Sequence, residues 1–192
     1  MSARLEPGYF ERLYERDGDP WSFATSPYER DKYEQTLAAL EGRRFATALE
    51  AGCSIGVFTE MLAPSCDELL GVDASERALA AARERVAGQA HVRLQRRVLP
   101  EELPAGPFDL VVCSELLYYW DEELLLAALG SLEAAVAPGG SLLAVHWRPR
   151  TETYPLQGDD VHRLLREHTT LVPALERVEP RYRLDRFDRP AR

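Results

Sequence analysis

The sequence predicts an α/β fold: a doubly wound, mostly parallel seven-stranded sheet with an antiparallel C-terminal hairpin and an N-terminal helical lid. Three observations predict it. Apolar runs of strand length alternate with segments of helical periodicity from Phe45 to His168. The stretch Phe45–Glu60 (FATALEAGCSIGVFTE) reads strand, glycine turn, helix, the order of an anion- and nucleotide-holding device. The last two apolar runs are joined only by Pro180-Arg181-Tyr182 and read as an antiparallel pair.

Residues 1–192 read as a single domain, with 1–42 as the lid and 43–192 as the α/β core. The first forty residues are polar but carry Tyr9, Phe10, Tyr14, Trp21, Phe23, Tyr28 and Tyr33. A short helix over Tyr9–Glu15 stops at Asp17-Gly18-Asp19-Pro20, which is turn composition. Ser26-Pro27-Tyr28-Glu29 then has the form of a capping box and starts a helix to about Leu40. Phe45–Leu49 is the first strand, closed by Glu50, and Val57, Phe58, Met61 and Leu62 follow the turn at helical spacing. Leu69–Val72 is the second strand, ending in Asp73, after which Ser75 caps a helix to Gly88. His91–Leu94 is the third strand and Pro100–Pro107 a loop. Leu110–Cys113 forms the fourth strand, ending at Ser114-Glu115; Asp121 caps an amphipathic helix that Pro138-Gly139-Gly140 ends. Leu142–Val145, closing on His146-Trp147, is the fifth strand; a helix over Asp159–His168 and strands at Glu176–Glu179 and Arg183–Phe187 finish the chain.

The totals narrow the function. A formal net charge of −9 argues against a nucleic-acid backbone partner. Three cysteines without C-x-x-C spacing predict a reducing compartment and no structural metal. The N-terminus has no apolar signal core and no run approaches membrane-spanning length, so the expected location is cytoplasmic.

Asp73, about twenty residues beyond the glycine turn, is the residue type and place that accept hydrogen bonds from both hydroxyls of a ribose. A ribose-bearing cofactor follows. Gly-x-Ser-x-Gly around Ser54 is also a nucleophile-elbow pattern, with Asp109 or Asp121 and His146 in the right chain order. An elbow, however, follows several strands, and Ser54 follows the first. A nicotinamide dehydrogenase wants glycines at positions one, three and six; here these are Gly52, Ser54 and Val57, and a second mononucleotide half is missing. A non-enzymatic binding module on this fold is the remaining alternative.

Glu-x-Gly-x-x-x-Gly, an acid on the second strand, Phe-Asp-Leu-Val-Val before the fourth tip and Pro-Gly-Gly before the fifth together resemble class I S-adenosylmethionine-dependent methyltransferases. Within that class Tyr9-Phe10, Asp19-Pro20-Trp21, Ser26-Pro27-Tyr28-Glu29-Arg30 and Tyr33 are similar to the nodulation-type enzymes that N-methylate deacetylated chitooligosaccharides. Gly52-Cys53-Ser54-Ile55-Gly56, His146-Trp147-Arg148 and Tyr154-Pro155-Leu156 resemble the same group.

The resemblance implies a metal-free enzyme that uses S-adenosyl-L-methionine and releases S-adenosyl-L-homocysteine. It implies a small-molecule or oligosaccharide acceptor, no membrane partner, and a monomer or homodimer. O- or N-methylation of another small metabolite is the alternative. Gly52 and Gly56, with Cys53 and Ser54 between them, are expected at the methionine part of the donor. Asp73 is expected at the ribose, Ala74 near the adenine, and Ser114 on the donor side of the fourth strand. Where many members carry an adenine-binding acid, this chain has Val98, so the backbones of Val98 and Leu99 are expected to hold the base. Arg30 is the candidate clamp for the donor carboxylate, and Trp21 the aromatic face over the sulfonium. Glu115 and His146, at two strand tips, are the candidate catalytic residues, Glu115 preferably as a holder of an ammonium or hydroxyl. Tyr118, Tyr119 and Trp147 are the candidate acceptor platform.

Overall fold

The computed structural model describes residues 4–191; the first three positions of the expected lid and residue 192 lie outside the described residues. The chain groups into two compact units, Glu6–Glu102 and, with Arg4 and Leu5, the segment from Leu103 onward. Among the described residues, seven strands are ordered in one mixed sheet, as expected.

In the first unit, helices α1 (Pro7–Arg16) and α2 (Pro27–Ala38) precede β1 (Phe45–Ala51), α3 (Val57–Leu62), β2 (Cys66–Asp73), α4 (Glu76–Arg85) and β3 (Val92–Arg96). The strands lie in the order β3-β2-β1, all parallel. Pairing runs in step from Phe45 opposite Cys66 to Ala51 opposite Val72, so the glycine turn and Asp73 leave the sheet at one edge. Phe45, Ala48, Leu49, Leu69 and Val72 bury this layer. Helix α2 starts where Pro27 and Ser26 predict, and the Ser26 hydroxyl accepts from the Glu29 amide at 3.4 Å. The Glu29 carboxylate does not close the expected box. It meets the buried Lys32 ammonium at 2.7 Å instead, because an internal cation needs a charge partner.

The second unit contains β4 (Phe108–Ser114), α5 (Glu122–Ala135), β5 (Val136–Trp147), α6 (Gly158–His168), β6 (Val172–Val178) and β7 (Tyr182–Asp188). Its order is β4-β5-β7-β6, with β4 and β5 parallel and β7 antiparallel to both neighbours. Asp121 caps α5 through the Leu124 amide at 2.9 Å, and Leu125, Ala128, Leu129 and Leu132 turn inward as their spacing requires.

Two boundaries differ most from expectation. β5 begins at Val136, and Pro138-Gly139-Gly140 lies inside it as an irregularity, the register jumping from Phe108 opposite Val136 to Leu110 opposite Ser141. Gly139 takes φ +81, and a side chain on Gly140 would strike the carbonyl oxygens of Ala137 and Asp109, each 2.9 Å away. β6 begins at Val172 rather than Glu176, absorbing Pro173; it is the outer strand, where a missing amide is tolerated. Two 3-10 turns, Ala63–Ser65 and Leu117–Tyr119, have no counterpart in the sequence reading. Among the described residues no helix is long and apolar enough to cross a membrane.

Candidate functional site

The predicted residues fall into two groups, one in each unit. In the first, β1 delivers the chain into a turn that the backbone itself holds open. Gly52 adopts φ +81 and Ser54 φ +52, while the amides of Gly52 and Cys53 both donate to the Val72 carbonyl at 2.8 and 2.9 Å. Gly56, at φ +78, precedes α3; a Cβ there would lie 2.9 Å from that of Ala82 on α4. Only glycine satisfies both the left-handed backbone and that close approach.

Asp73 is the hub. Its carboxylate accepts from the Ser54 amide at 2.9 Å and from the Ser75 amide at 2.9 Å, tying the end of β2 to the glycine turn. Loss of water around the carboxylate raises its pKa above the ordinary value, and the amides of Ser75, Ser54 and Ala74 oppose that rise. Each carboxylate oxygen has two acceptor sites, so these bonds leave capacity for ligand hydroxyls.

Glu50, the acid of the Glu-x-Gly-x-x-x-Gly pattern, lies near the end of β1. Its Oε2 and the Oγ1 of Thr59 are both buried without a hydrogen-bond partner among the described residues. Burial pushes the Glu50 pKa up to about 8, and the Asp73 charge adds to the rise. A buried carboxyl with an unpaired oxygen beside a backbone cradle fits a ligand that brings hydroxyls together with a cationic group, whose charge would favour loss of the Glu50 proton.

The N-terminal segment closes on this turn. The Tyr14 hydroxyl lies 2.5 Å from Ser54 Oγ, and Ser75 Oγ donates to Glu11 at 2.6 Å. Tyr14, Ile55 and Ala78 form a buried cluster against which Phe10, Trp21 and Phe23 pack. Trp21 is edge-on to Tyr14, with centroids 5.7 Å apart, and stacked on Phe23 at 5.5 Å.

Other residues of this group stand differently from expectation. The Cys53 side chain is buried against Gly71, where a Cβ would meet it at 3.2 Å, so it shapes the turn instead of presenting a thiol. Arg30 is exposed and paired with Glu34 at 3.1 Å, because one helical turn separates them. The Val98 amide is taken by Glu102 Oε2 at 2.7 Å and its carbonyl accepts from the Glu102 amide at 2.9 Å; the adenine-binding backbone expected at Val98 is thus committed locally. Leu99 is buried, and the Ala74 carbonyl accepts from Arg96 at 3.1 Å.

The second group surrounds the ends of β4 and β5. Ser114 pairs with Val145, and Glu115 follows with φ +53, a strained conformation for a residue with a long side chain. Glu115 Oε2 accepts from the Tyr118 hydroxyl, in a very short contact, and from the Trp147 amide at 3.0 Å. Burial, with the Glu115 charge, pushes the Tyr118 pKa well up, so the hydroxyl stays a donor. Tyr154, of the Tyr154-Pro155-Leu156 segment, stacks on Tyr118 at 4.8 Å and lies edge-on to Tyr119 at 4.9 Å. Arg181 lies over the Trp147 ring at 5.1 Å.

His146 corrects the expectation of a proton acceptor. It is wholly buried; Nε2 accepts from the Leu117 amide at 3.1 Å and Nδ1 faces His162 Nε2 at 3.1 Å. Both ring nitrogens are committed inside the protein. His162, assigned nothing from sequence, continues to Asp185 at 3.0 Å.

Comparison with known proteins identifies the family and the fold. The family model for nodulation protein S (NodS) matches residues 10–152. The nodulation protein S of Rhizobium tropici is 37% identical over 127 residues, covering 65% of this chain and 53% of that protein. The chain therefore spans about half the length of that relative. The crystal structure of the N-methyltransferase NodS from Bradyrhizobium japonicum WM9, in complex with S-adenosyl-L-homocysteine, superposes with a TM-score of 0.83 at 28% identity, covering 94% of this chain and 98% of that one. A putative methyltransferase from Pseudomonas syringae is 39% identical, with a TM-score of 0.74 over 84% of this chain and 99% of that one. The sheet is that of a class I methyltransferase, and the chain belongs to the nodulation protein S family.

Proposed function

We propose that the protein transfers a methyl group from S-adenosyl-L-methionine to an amine, the acceptor being an amino sugar or a deacetylated chitooligosaccharide. The observation that carries the donor half is the Asp73 hub, whose carboxylate is held by the amides of Ser54 and Ser75 beside the open backbone of Gly52 and Gly56. The family match to a protein solved with S-adenosyl-L-homocysteine supports the same reading.

When bound, the donor supplies an electrophilic methyl group on a sulfonium. The chain's own residues do the rest. Asp73 takes the ribose hydroxyls, and Gly52 and Gly56 admit the methionine portion close to the main chain. Glu50, with its unpaired buried oxygen, meets the donor's positive charge. Trp21 shields the site with an aromatic face.

On the acceptor side, Glu115 meets an ammonium or sugar hydroxyl while Tyr118 and the Trp147 amide fix its orientation. Trp147, Tyr119 and Tyr154 provide flat surfaces for a pyranose. An amine reacts as the free base, so an ammonium loses one proton to solvent before transfer and the methylated amine forms as the new ammonium; His146 takes no proton, because both its nitrogens are engaged. The protein therefore contributes alignment and exclusion of water, effects worth roughly 7–11 kcal/mol for well-placed reactants.

The test is methyl transfer from labelled donor to a panel of deacetylated chitooligosaccharides, free amino sugars and phenols. Label is expected on the amines, with Glu115→Gln lowering the rate and leaving S-adenosyl-L-homocysteine affinity unchanged. Label confined to phenols contradicts the acceptor assignment and leaves the donor assignment standing.

A further inference from the structure

We propose that His162 and Asp185 are positioning residues for the acceptor corner: through His146 and the Leu117 amide, they hold the turn that sets the Tyr118 hydroxyl on Glu115. The inference rests on the reading of Glu115 and Tyr118 as acceptor-side groups.

The proton positions along this chain follow from its ends. A backbone amide only donates, so His146 Nε2, 3.1 Å from the Leu117 nitrogen, carries no hydrogen. The neutral ring then has its proton on Nδ1 and donates it to His162 Nε2 at 3.1 Å. His162 in turn carries its proton on Nδ1 and donates to Asp185 Oδ2 at 3.0 Å. All three side chains are wholly buried, and the two rings pass hydrogen bonds in one direction, from the Leu117 amide to Asp185. A fully satisfied buried network permits a single geometry.

The far end is anchored by charge. Asp185 accepts from Arg166 Nε at 3.1 Å and Nη2 at 3.3 Å, and Arg183 Nη2 lies 3.4 Å away. Burial works against the Asp185 charge, but the bonds from His162 and Arg166 hold its pKa below the ordinary value; burial pushes the His162 pKa down. An anionic Asp185 and a neutral His162 are the two states the chain of donors requires.

The near end is the 3-10 turn Leu117–Tyr119, whose Tyr118 ring also packs edge-on to His146 with centroids 5.1 Å apart. Gly158 makes the link possible. A Cβ there would lie 2.1 Å from the Trp147 carbonyl oxygen, so a glycine opens α6 directly against the end of β5. His162, one helical turn later on the same face, then reaches His146.

The test uses the full chain and three readouts. Nitrogen-15 NMR of the imidazoles is expected to show His146 and His162 both neutral and protonated at Nδ1; a proton on Nε2 of either ring overturns the chain. His162→Leu is expected to move the Tyr118 ring resonances and leave S-adenosyl-L-homocysteine affinity unchanged. With deacetylated chitotetraose as the probe, kcat/KM is expected to fall roughly 10- to 100-fold, the scale of a misplaced reactive group. Asp185→Asn, which preserves volume, serves the same purpose if the leucine variant does not fold. His146→Gln, whose amide oxygen can still accept from Leu117, is expected to retain most of the rate that His146→Leu loses. Unmoved Tyr118 resonances in a folded His162→Leu or Asp185→Asn protein overturn the positioning role whichever acceptor is used. Absence of transfer by the wild type to any amine overturns the acceptor reading instead, and the tyrosine signal still decides this one.

Discussion

The two groups of functional residues are built by opposite means. Around Asp73 the parts are mainly backbone: left-handed residues at Gly52, Ser54 and Gly56, two amides on the Val72 carbonyl, and two more on the Asp73 carboxylate. Around Glu115 the parts are mainly side chains, and the support runs inward through two histidines to a buried aspartate. A backbone device depends on the absence of side chains at a few places, so one added carbon destroys it. A side-chain relay depends on hydrogen-bond polarity, so an isosteric swap that reverses a donor disrupts it while the fold survives.

The sharpest way to break that contrast is at Gly56. Replacement by valine forces a branched residue to φ +78 and drives its Cβ into Ala82 of α4, whose Cβ is 2.9 Å away. The left-handed backbone alone costs about 1–2 kcal/mol and overpacking about 1–3 more. Thermal unfolding should shift far down and donor-product binding should vanish; a variant with wild-type melting behaviour would show that the turn tolerates side chains.

Glu50 sharpens the comparison, since burial beside the backbone device shifts its carboxyl strongly. Its folded pKa of about 8 exceeds its unfolded value, so the stability it contributes is complete below about pH 4.5 and is lost as pH rises through 8. Glu50→Gln removes that dependence. The wild type should lose stability relative to the variant between pH 5 and pH 8.5, by on the order of a few kcal/mol in denaturant titrations. An equal difference at both pH values would mean that Glu50 is ordinary.

The smallest effect is expected at Arg30. An exposed pair one helical turn apart is worth about 0.3–0.5 kcal/mol, so Arg30→Ala should change neither melting nor S-adenosyl-L-homocysteine affinity measurably. A tenfold weaker affinity would return Arg30 to the donor carboxylate.

How much was legible in the sequence follows the same division. Glycine spacing, an acid at a strand end and Ser75 before a helix are local signals, and each names its own backbone geometry; the alternation of strands and helices and the place of Asp73 at the end of β2 were readable from them, while the strand order and the amides that Asp73 gathers were not. Nor was the relay. His146, His162 and Asp185 stand 16 and 23 residues apart in sequence and meet only because β5, α6 and β7 pack together. The one local clue is Gly158 opening a helix directly after an irregular segment, which indicates close approach without saying to what. The same holds for Val98: its neighbour Glu102, four residues on, takes the amide that was expected to serve a ligand.

The account stands most directly on calorimetry of S-adenosyl-L-homocysteine with the wild type and Asp73→Ala. It predicts clear binding by the wild type and a loss of about a hundredfold or more in the variant, since hydrogen bonds to a charged group are worth roughly 1.5–3 kcal/mol each and two ribose hydroxyls lose theirs together. Equal affinity in the two proteins, with the variant folded, would contradict the assignment of this turn to a nucleoside.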